Sequence, residues 1–265
     1  MSADATLARL KLNKVAERRL WEFAIDRRLC LGAPGSKHLS GGACVAAMVA
    51  VLEAETDKPL IQASAQFLSA PRFGASACVS ADILSAGRNI VQARAKLNGL
   101  DSEAASLAAS FGARDEATHI FWRAPPTAPA PETCARIPFV REDAEDLHAQ
   151  LDMRIANDPR IDRDGRLVFW VKTPQVFVPH ASVFLALVAD YLPEAIHFNI
   201  GRRAGAVSLD NALRIYARAP TDWLLCETRL AGLANGLFHG EMAIFTQTGS
   251  PLALASQSGV VRMLD

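Results

Sequence analysis

The pattern of hydrophobic and polar positions predicts a helix followed by strands in the first half of the chain. Residues 43–55 are apolar on nearly every side, which is typical of a buried helix, and Ser40, just before the preceding Gly41-Gly42, is a suitable N-cap. Strand-like runs follow at 60–69, 75–84, 88–97 and 102–111. Asn98-Gly99 predicts a tight hairpin turn between the last two runs. The fourth run is rich in alanine, so a helix is a competing prediction there.

The second half of the chain repeats this order of elements. Pro179-His180 leads into a second helix-like segment that is apolar nearly all round, and the stretch 206–261 then contains four strand-like runs separated by turn sequences. Each half also has candidate strands ahead of its helix, at 20–25 in the first half and at 151–156 and 166–172 in the second. A repeat of this size indicates two duplicated domains.

A single buried helix wrapped by one long antiparallel sheet is the hotdog arrangement, in which the apolar face of the sheet covers the helix. The sequence therefore predicts an α+β fold, a tandem (double) hotdog whose two sheets join edge to edge. A proline-rich stretch with an acidic end separates the repeats and reads as a linker. The predicted division is an N-terminal hotdog at 1–125, a linker at 126–145 and a C-terminal hotdog at 146–265.

Composition narrows the class of protein. The 265 residues are 50% hydrophobic and 21% charged with zero net charge, which favours a globular protein over one that binds nucleic acid or a membrane surface. The five cysteines are scattered and lack CxxC spacing, so we expect reduced thiols in a cytoplasmic protein with no metal and no cofactor. The longest apolar runs, 43–52 and 183–189, are too short to span a bilayer, and the N-terminus shows no signal peptide.

Two polar side chains in the tail are candidates for chemistry. A carboxylate inside an apolar strand is costly unless it is paired or used, and Asp210 lies in such a strand. Alternation places Asp210 with Ser208 on a face of small and polar residues, opposite Leu213, so we expect this face to look away from the helix. In the last strand, Gln257 shares a face with small residues such as Ala255. We expect these two faces to be the same side of the sheet, with room for a ligand.

These residues resemble a known family, the double-hotdog acyl-CoA thioesterases of the acyl-CoA thioesterase II type. The resemblance rests on an ordered set of short motifs: Gly41-Gly42, Phe67-Leu68-Ser69-Ala70-Pro71, Ala86-Gly87-Arg88, Ser208-Leu209-Asp210, Thr221-Asp222-Trp223-Leu224-Leu225, Asn235-Gly236, Gly240 and Leu254-Ala255-Ser256-Gln257. It implies hydrolysis of acyl-CoA thioesters at a site formed by an Asp, a Ser or Thr, and a Gln. The Asp falls on Asp210 and the Gln on Gln257.

The hydroxyl of that site has no clear counterpart by sequence. The resemblance puts it on the strand after Trp223-Leu224-Leu225, where Thr228 is the nearest hydroxyl. Strand parity counted from Trp223 points Thr228 to the opposite face unless a bulge resets the register. Thr228 is therefore the third catalytic candidate, beside Asp210 as general base and Gln257 as the group that orients water.

Substrate-binding candidates lie in the first half. Gly41-Gly42 at a helix start suits an oxyanion, because backbone N–H groups there are free and glycine allows close approach. Arg88 is a candidate for the CoA phosphates. The implied partner is the acyl-CoA substrate, and further pairing into a homo-oligomer of double hotdogs is expected.

Structural interpretations stand beside each functional one. Asp210 could pair with Arg214 or Arg229 in the sheet, Gly41-Gly42 could relieve close helix–sheet packing, and Arg88 could be solvated surface. Asp190, on the second helix, reads as a residue that caps a helix end or loop.

Two alternative functions remain open. One is a non-catalytic acyl-CoA or lipid-binding hotdog protein that has lost the hydroxyl. The other is an enoyl-CoA hydratase, for which Asp143 and His148 have the right spacing but lack the expected sequence context.

Overall fold

The computed structural model describes residue 10 and residues 12–15, 19–33, 35–100, 102–113, 118–139, 145–158, 164–201 and 204–263. In the first half the elements are β1 (Asn13–Lys14), β2 (Leu20–Ala24), β3 (Cys30–Leu31), β4 (His38–Leu39), α1 (Gly41–Thr56), β5 (Leu60–Phe67), β6 (Ser76–Ala86), β7 (Ile90–Asn98) and β8 (Glu103–Gly112). The alanine-rich run is therefore a strand, and the competing helix prediction is wrong there. Its alternate residues are buried, so the small side chains fit a sheet face against a helix.

The second half follows the same order. Its elements are α2 (Leu147–Gln150), β9 (Met153–Ile155), β10 (Arg166–Lys172), α3 (Ala181–Val188), α4 (Leu192–Ile200), β11 (Ala204–Ser208), β12 (Asp210–Ile215), β13 (Trp223–Ala234), β14 (Leu237–Thr246) and β15 (Pro251–Met263). A short 3₁₀ turn, Ala189–Tyr191, joins α3 to α4. The first run of the tail is thus two strands with an interruption at Leu209.

One long antiparallel sheet carries both halves. Within the described residues the strand order is β1-β2-β6-β7-β8-β5-β12-β15-β14-β13-β10-β9, and β11 also pairs with β15. The halves join where β5 pairs with β12, with Ser64 opposite Ala212. This edge-to-edge junction and the two buried helices confirm the tandem hotdog fold.

The junction relates the two halves by an approximate twofold axis, which defines equivalent positions. Each central strand carries a one-residue register shift at its start, in β5 between Leu60 and Gln62 and in the β11–β12 segment at Leu209. When positions in the two halves are matched from these register shifts, Leu60 in the first half is equivalent to Ser208 in the second, and Ala109 is equivalent to Gln257.

The core helix α1 is buried for most of its length. Residues 42–52 are all buried, and the Ser40 hydroxyl accepts a hydrogen bond from the Ala43 amide at 3.1 Å, as an N-cap does. Full burial of each Val or Leu side chain contributes roughly 1.5–3 kcal/mol to folding. One face of α1 packs on its own sheet and another packs on α3 from the second half.

The segment between the halves lies on the outer face of the sheet of the second half. Trp170 Nε1 donates to the Pro129 carbonyl at 3.0 Å, and Arg123 pairs with Glu227 at 3.0 Å. The division into domains at 125 and 145 stays a prediction.

The helical stretch Ala181–Ile200 is long and apolar enough, by composition alone, to cross a bilayer. However, 72% of its apolar window is buried inside the fold, so its apolar side chains are already covered by protein. This stretch serves here as core.

Candidate functional site

Asp190 lies at the point where the two halves of the molecule meet. It occupies the 3₁₀ turn Ala189–Tyr191, and its carboxylate reaches the first turn of α1. Oδ2 accepts the Gly42 amide at 2.7 Å, and Oδ1 accepts the Ser208 hydroxyl at 3.2 Å and Gln257 Nε2 at 2.5 Å. The carboxylate is thereby held by one donor from the first half and two from the second.

Gln257 completes this cluster from β15. Its Nε2 also lies 2.6 Å from Ser208 Oγ. Because an ionised carboxylate only accepts hydrogen bonds, the amide atom facing Asp190 must be the nitrogen. That orientation leaves Oε1 of Gln257 buried with no hydrogen-bond partner among the described residues. A buried acceptor of this kind costs free energy unless a ligand or water uses it.

The small-residue face of β15 is the face that meets the helices. Ala253, Ala255 and Gln257 are each 2–3% exposed, so the expectation that this face looks away from the helices is wrong. Small side chains here let the helical segment with Asp190 approach the sheet closely. Gln257 is consequently a core residue with its amide aimed at that segment.

The sequence predicts that Asp210 and Gln257 share a site, but the structure does not bring their side chains together. Its Oδ1 accepts the backbone amide of Ser258 at 2.6 Å, which ties β12 to β15 beside the bulge. The extra residue at Leu209 reverses the alternation, so that Ser208 and Asn211 point inward whereas Val207 and Leu209 are 62% and 45% exposed. Asp210 therefore falls on the opposite face from Ser208. Among the described residues, no ion pair joins Asp210 to Arg214 or Arg229, and Arg229 pairs with Glu227 at 3.1 Å.

Burial changes the acid–base properties of this site. It raises the pKa of Asp190 to about 6, and the hydrogen bonds from Gln257, Gly42 and Ser208 limit the rise because they favour the charged form. Glu194 lies one helical turn further on, and burial, together with the charge of Asp190, raises its pKa to about 7. Asp190 can thus exchange a proton near neutral pH, as a general base requires.

Gly41 and Gly42 are needed for close packing between helices. A Cβ on Gly42 would lie 2.4 Å from the Leu187 carbonyl oxygen, and one on Gly41 would lie 2.7 Å from Asp190 Oδ2. Both glycines thus allow close packing, against the helical segment of the second half and, at Gly41, also against Phe67 of β5, 3.1 Å away. The Gly42 amide is taken by Asp190, whereas the Gly41 amide, in the first turn, has no acceptor within the helix.

Thr228 and Arg88 lie away from this cluster. Thr228 is fully buried, and its hydroxyl donates to the Leu167 carbonyl at 3.2 Å on the neighbouring strand. Arg88 lies in the exposed turn between β6 and β7, and its carbonyl accepts Lys58 Nζ at 3.1 Å. Lys58 follows the C-terminal end of α1, about 24 Å along that 16-residue helix from Gly41. The structure does not bring either residue to Asp190.

The residues of the hydratase alternative do not form a site among the described residues. Asp143 lies outside them. His148 stacks on Phe139 with ring centroids 3.7 Å apart, and burial lowers its pKa to about 4. No group of three potential metal ligands occurs within the parts of the chain that the structure describes. The five cysteines are free thiols.

The sequence contained a signal for Asp190 that parity arguments obscured. Asp190 is the one acidic or basic residue between Ala181 and Pro193, in a stretch that is otherwise mostly apolar. It does cap a helix end, as expected, but the end belongs to α1 of the other half. Ser208 could have been identified only by locating the bulge at Leu209, for which the sequence offers no glycine or proline.

Comparison with known proteins agrees with this architecture. The sequence matches the family described as the acyl-CoA thioesterase N-terminal domain over residues 32–112 and the acyl-CoA thioesterase C-terminal domain over residues 131–261. A search of curated proteins by sequence finds no significant match.

Solved structures with the same fold include a candidate thioesterase from Novosphingobium aromaticivorans, with 27% identity, coverage of 94% of this chain and 97% of that one, and a TM-score of 0.85. A hot dog fold protein of unknown function from Alicyclobacillus acidocaldarius has 18% identity, coverage of 100% and 98%, and a TM-score of 0.80. The acyl-CoA thioesterase II TesB2 from Mycobacterium marinum has 18% identity, coverage of 100% and 99%, and a TM-score of 0.75. Because the two family matches together span most of the sequence in the order the fold requires, the chain belongs to the acyl-CoA thioesterase family and is a double-hotdog thioesterase.

Proposed function

We propose that the protein hydrolyses acyl-CoA thioesters to the free acid and CoA, with Asp190 as the general base. The observation that carries this proposal is the buried Oε1 of Gln257, which has no hydrogen-bond partner in the part of the chain that the structure describes and lies beside a carboxylate whose pKa is raised to about 6. A water molecule that donates one proton to this oxygen and one to Asp190 would satisfy both groups. That assignment replaces Asp210, whose carboxylate is occupied by the Ser258 amide.

The reaction needs one proton transfer in each direction. The water oxygen attacks the thioester carbonyl carbon while Asp190 takes its proton, and a tetrahedral intermediate forms. The carbon–sulfur bond then breaks, and the proton held by Asp190 passes to the departing thiolate, which regenerates the carboxylate. Positioned acid–base groups of this type contribute roughly 10²–10⁴ in rate.

Ser208 takes the place of the hydroxyl expected at Thr228. Its hydroxyl donates to Asp190 and accepts from Gln257, so it fixes the distance between the two. In this role Ser208 is a positioning residue, since nothing requires it to touch the substrate.

The oxyanion is assigned to the start of α1. The Gly42 amide is already used by Asp190, so the Gly41 amide is the one we propose for the developing negative charge. Only glycine fits at this position, because a Cβ on Gly41 would lie 2.7 Å from Asp190 Oδ2 and 3.1 Å from Phe67 Cζ. Preorganised backbone donors act strongly in such a site.

Thiol release from short, medium, long and aromatic acyl-CoAs tests the activity. We expect turnover by the wild type, loss in Asp190→Asn, and near-normal turnover in Asp210→Asn, whose amide oxygen can still accept from Ser258. Turnover that survives Asp190→Asn but not Asp210→Asn would return the catalytic role to Asp210. Tight acyl-CoA binding without any turnover would support the non-catalytic binding alternative.

A single-turnover reaction in H₂¹⁸O tests the general-base role itself. Direct attack by water places the label in the released acid and none in the protein. Label found in the carboxylate of Asp190 would instead show that Asp190 attacks the thioester as a nucleophile.

Cytoplasmic location, a role in lipid metabolism and homo-oligomerisation remain parts of this proposal. The free cysteines support the first, because a reducing compartment keeps thiols reduced.

A further inference from the structure

The opposite end of α1 carries a second polar junction between the halves. Here Glu53, near the C-terminal end of α1, faces the first turn of α3, and its Oε1 accepts the Leu60 amide at 2.8 Å. Burial raises the pKa of Glu53, while hydrogen bonds from Leu60 and Ser182 and the charge of Arg218 oppose that rise. By the twofold relation, this junction is the counterpart of the one at Asp190.

A cleft of about 350 Å³ opens at this second junction. It is lined from one side by the end of α1 with Lys58 and from the other by His180, Ser182 and Arg218. The volume falls within the range of sites for small organic ligands.

Two side chains that line this cleft have nitrogen atoms without a hydrogen-bond partner among the described residues. Arg218 donates from one nitrogen to the Leu60 carbonyl at 2.9 Å, and its other N–H groups have no acceptor among the described residues. His180 Nε2 is buried and lacks a partner there too. Glu53 is already engaged, so the remaining carboxylate is that of Asp57, at the exposed rim beside Lys58. The lining is therefore suited to a ligand that accepts hydrogen bonds.

The inner side of the cleft is apolar. Arg218 also borders a small pocket of about 20 Å³, lined by side chains that include Phe177, Phe184 and Leu224. That volume holds about one water molecule, so an apolar group would be short. A half-buried guanidinium between a polar cleft and an apolar pocket matches a carboxylate with a short hydrocarbon chain.

We propose that this cleft is a second, non-catalytic site that binds a short-chain carboxylic acid, with the carboxylate on Arg218 and the chain directed toward the apolar pocket. No hydrolysis is expected there, because Leu60 and Ala109 stand at the positions equivalent to Ser208 and Gln257. The proposal stands on the lining of the cleft and does not require the chemistry assigned to Asp190.

Side-chain NMR of protein labelled with ¹⁵N-arginine tests the site directly. On titration with propionate, whose chain is short enough for the pocket, the Nε signal of Arg218, assigned by its absence in Arg218→Gln, should shift with saturation in the millimolar range. The signal of Arg214, an exposed arginine on β12, should stay in place as an internal control. Failure of the Arg218 signal to move would overturn the proposal.

Calorimetry on variants separates this site from the catalytic one. Arg218→Gln should weaken the binding of propionate at least tenfold, and Ala181→Phe, which fills the cleft, should do the same, whereas Arg214→Gln should not. Equal binding of propan-1-ol or inorganic phosphate would overturn the assignment to a carboxylic acid. Asp190→Asn should retain the Arg218-dependent binding, so a protein that binds propionate but hydrolyses no acyl-CoA would contradict the proposed function alone.

Discussion

The two ends of α1 solve the same packing problem with different residues. At its N-terminal end, Asp190 from the second half accepts the Gly42 amide and is joined by Ser208 and Gln257. At its C-terminal end, Glu53 accepts the Leu60 amide and has only apolar residues at the equivalent strand positions. Both carboxylates are partly buried, and desolvation raises the pKa of each.

The difference shows that the two carboxylates have unlike surroundings. At the Asp190 end, polar groups from two strands converge, and an amide oxygen has no hydrogen-bond partner among the described residues. At the Glu53 end, the strand positions that would supply those groups are aliphatic. The end proposed as catalytic is thus distinguished by the unpaired acceptor beside its carboxylate, and each change below removes or measures one part of that arrangement.

The largest effect is expected from Asp190→Asn. The amide cannot take a proton from water, so kcat should fall by roughly 10²–10⁴ while the fold is kept. Steady-state thiol release measures the change. Asp210→Asn is the matched control because it makes the same side-chain change on β12, outside the Asp190 cluster. Equal losses in the two variants would erase the distinction between them.

The next test replaces residues of the Asp190 cluster with those at the equivalent positions of the first half. Gln257→Ala and Ser208→Leu install the residues found at Ala109 and Leu60. Each should lower kcat by roughly 10–10³, since a positioned hydrogen-bonding group in an active site is worth up to that amount. Ser256→Ala, on the other face of β15, is the control, and a loss there as large as in Gln257→Ala would contradict the assignment.

Gly42→Ala tests the close approach of the helices. Its Cβ would lie 2.4 Å from the Leu187 carbonyl oxygen, so the free energy of unfolding should fall by about 1–3 kcal/mol. Gly205→Ala, where a Cβ meets nothing within 4 Å, should change it little. Urea denaturation of both variants measures the difference, and equal stability would show that the helices move apart freely.

The pH dependence of kcat/KM should report the raised pKa of Asp190. The base is active only when ionised, so the rate should rise about tenfold per pH unit below pH 6 and level off above it. An ordinary carboxylate would level off near pH 4. A profile that is flat from pH 5 upward would contradict a pKa of Asp190 raised to about 6 by burial.

The fold could be predicted from sequence because its signals are local and repeated. Helices that are apolar on all sides, strands with alternation and hairpin turns such as Asn98-Gly99 all lie within short windows. The geometry of the proposed site can be predicted only in part. The family resemblance points to Gln257, whereas alternation counted through Leu209 puts Asp210 on the same face as Ser208. A single bulge at Leu209 reverses the faces of the strand, and no residue type in the sequence indicates it.

The difference between the residues at the two helix junctions bears on how the molecule evolves. A subunit that paired with an identical copy would carry the same residues at both helix junctions, so any change would strike both at once. In a fused chain, Leu60 and Ser208 are separate codons, and one junction is free to diverge while the other is held by selection for turnover. Fusion thus separates the fates of two sites that symmetry would have kept identical.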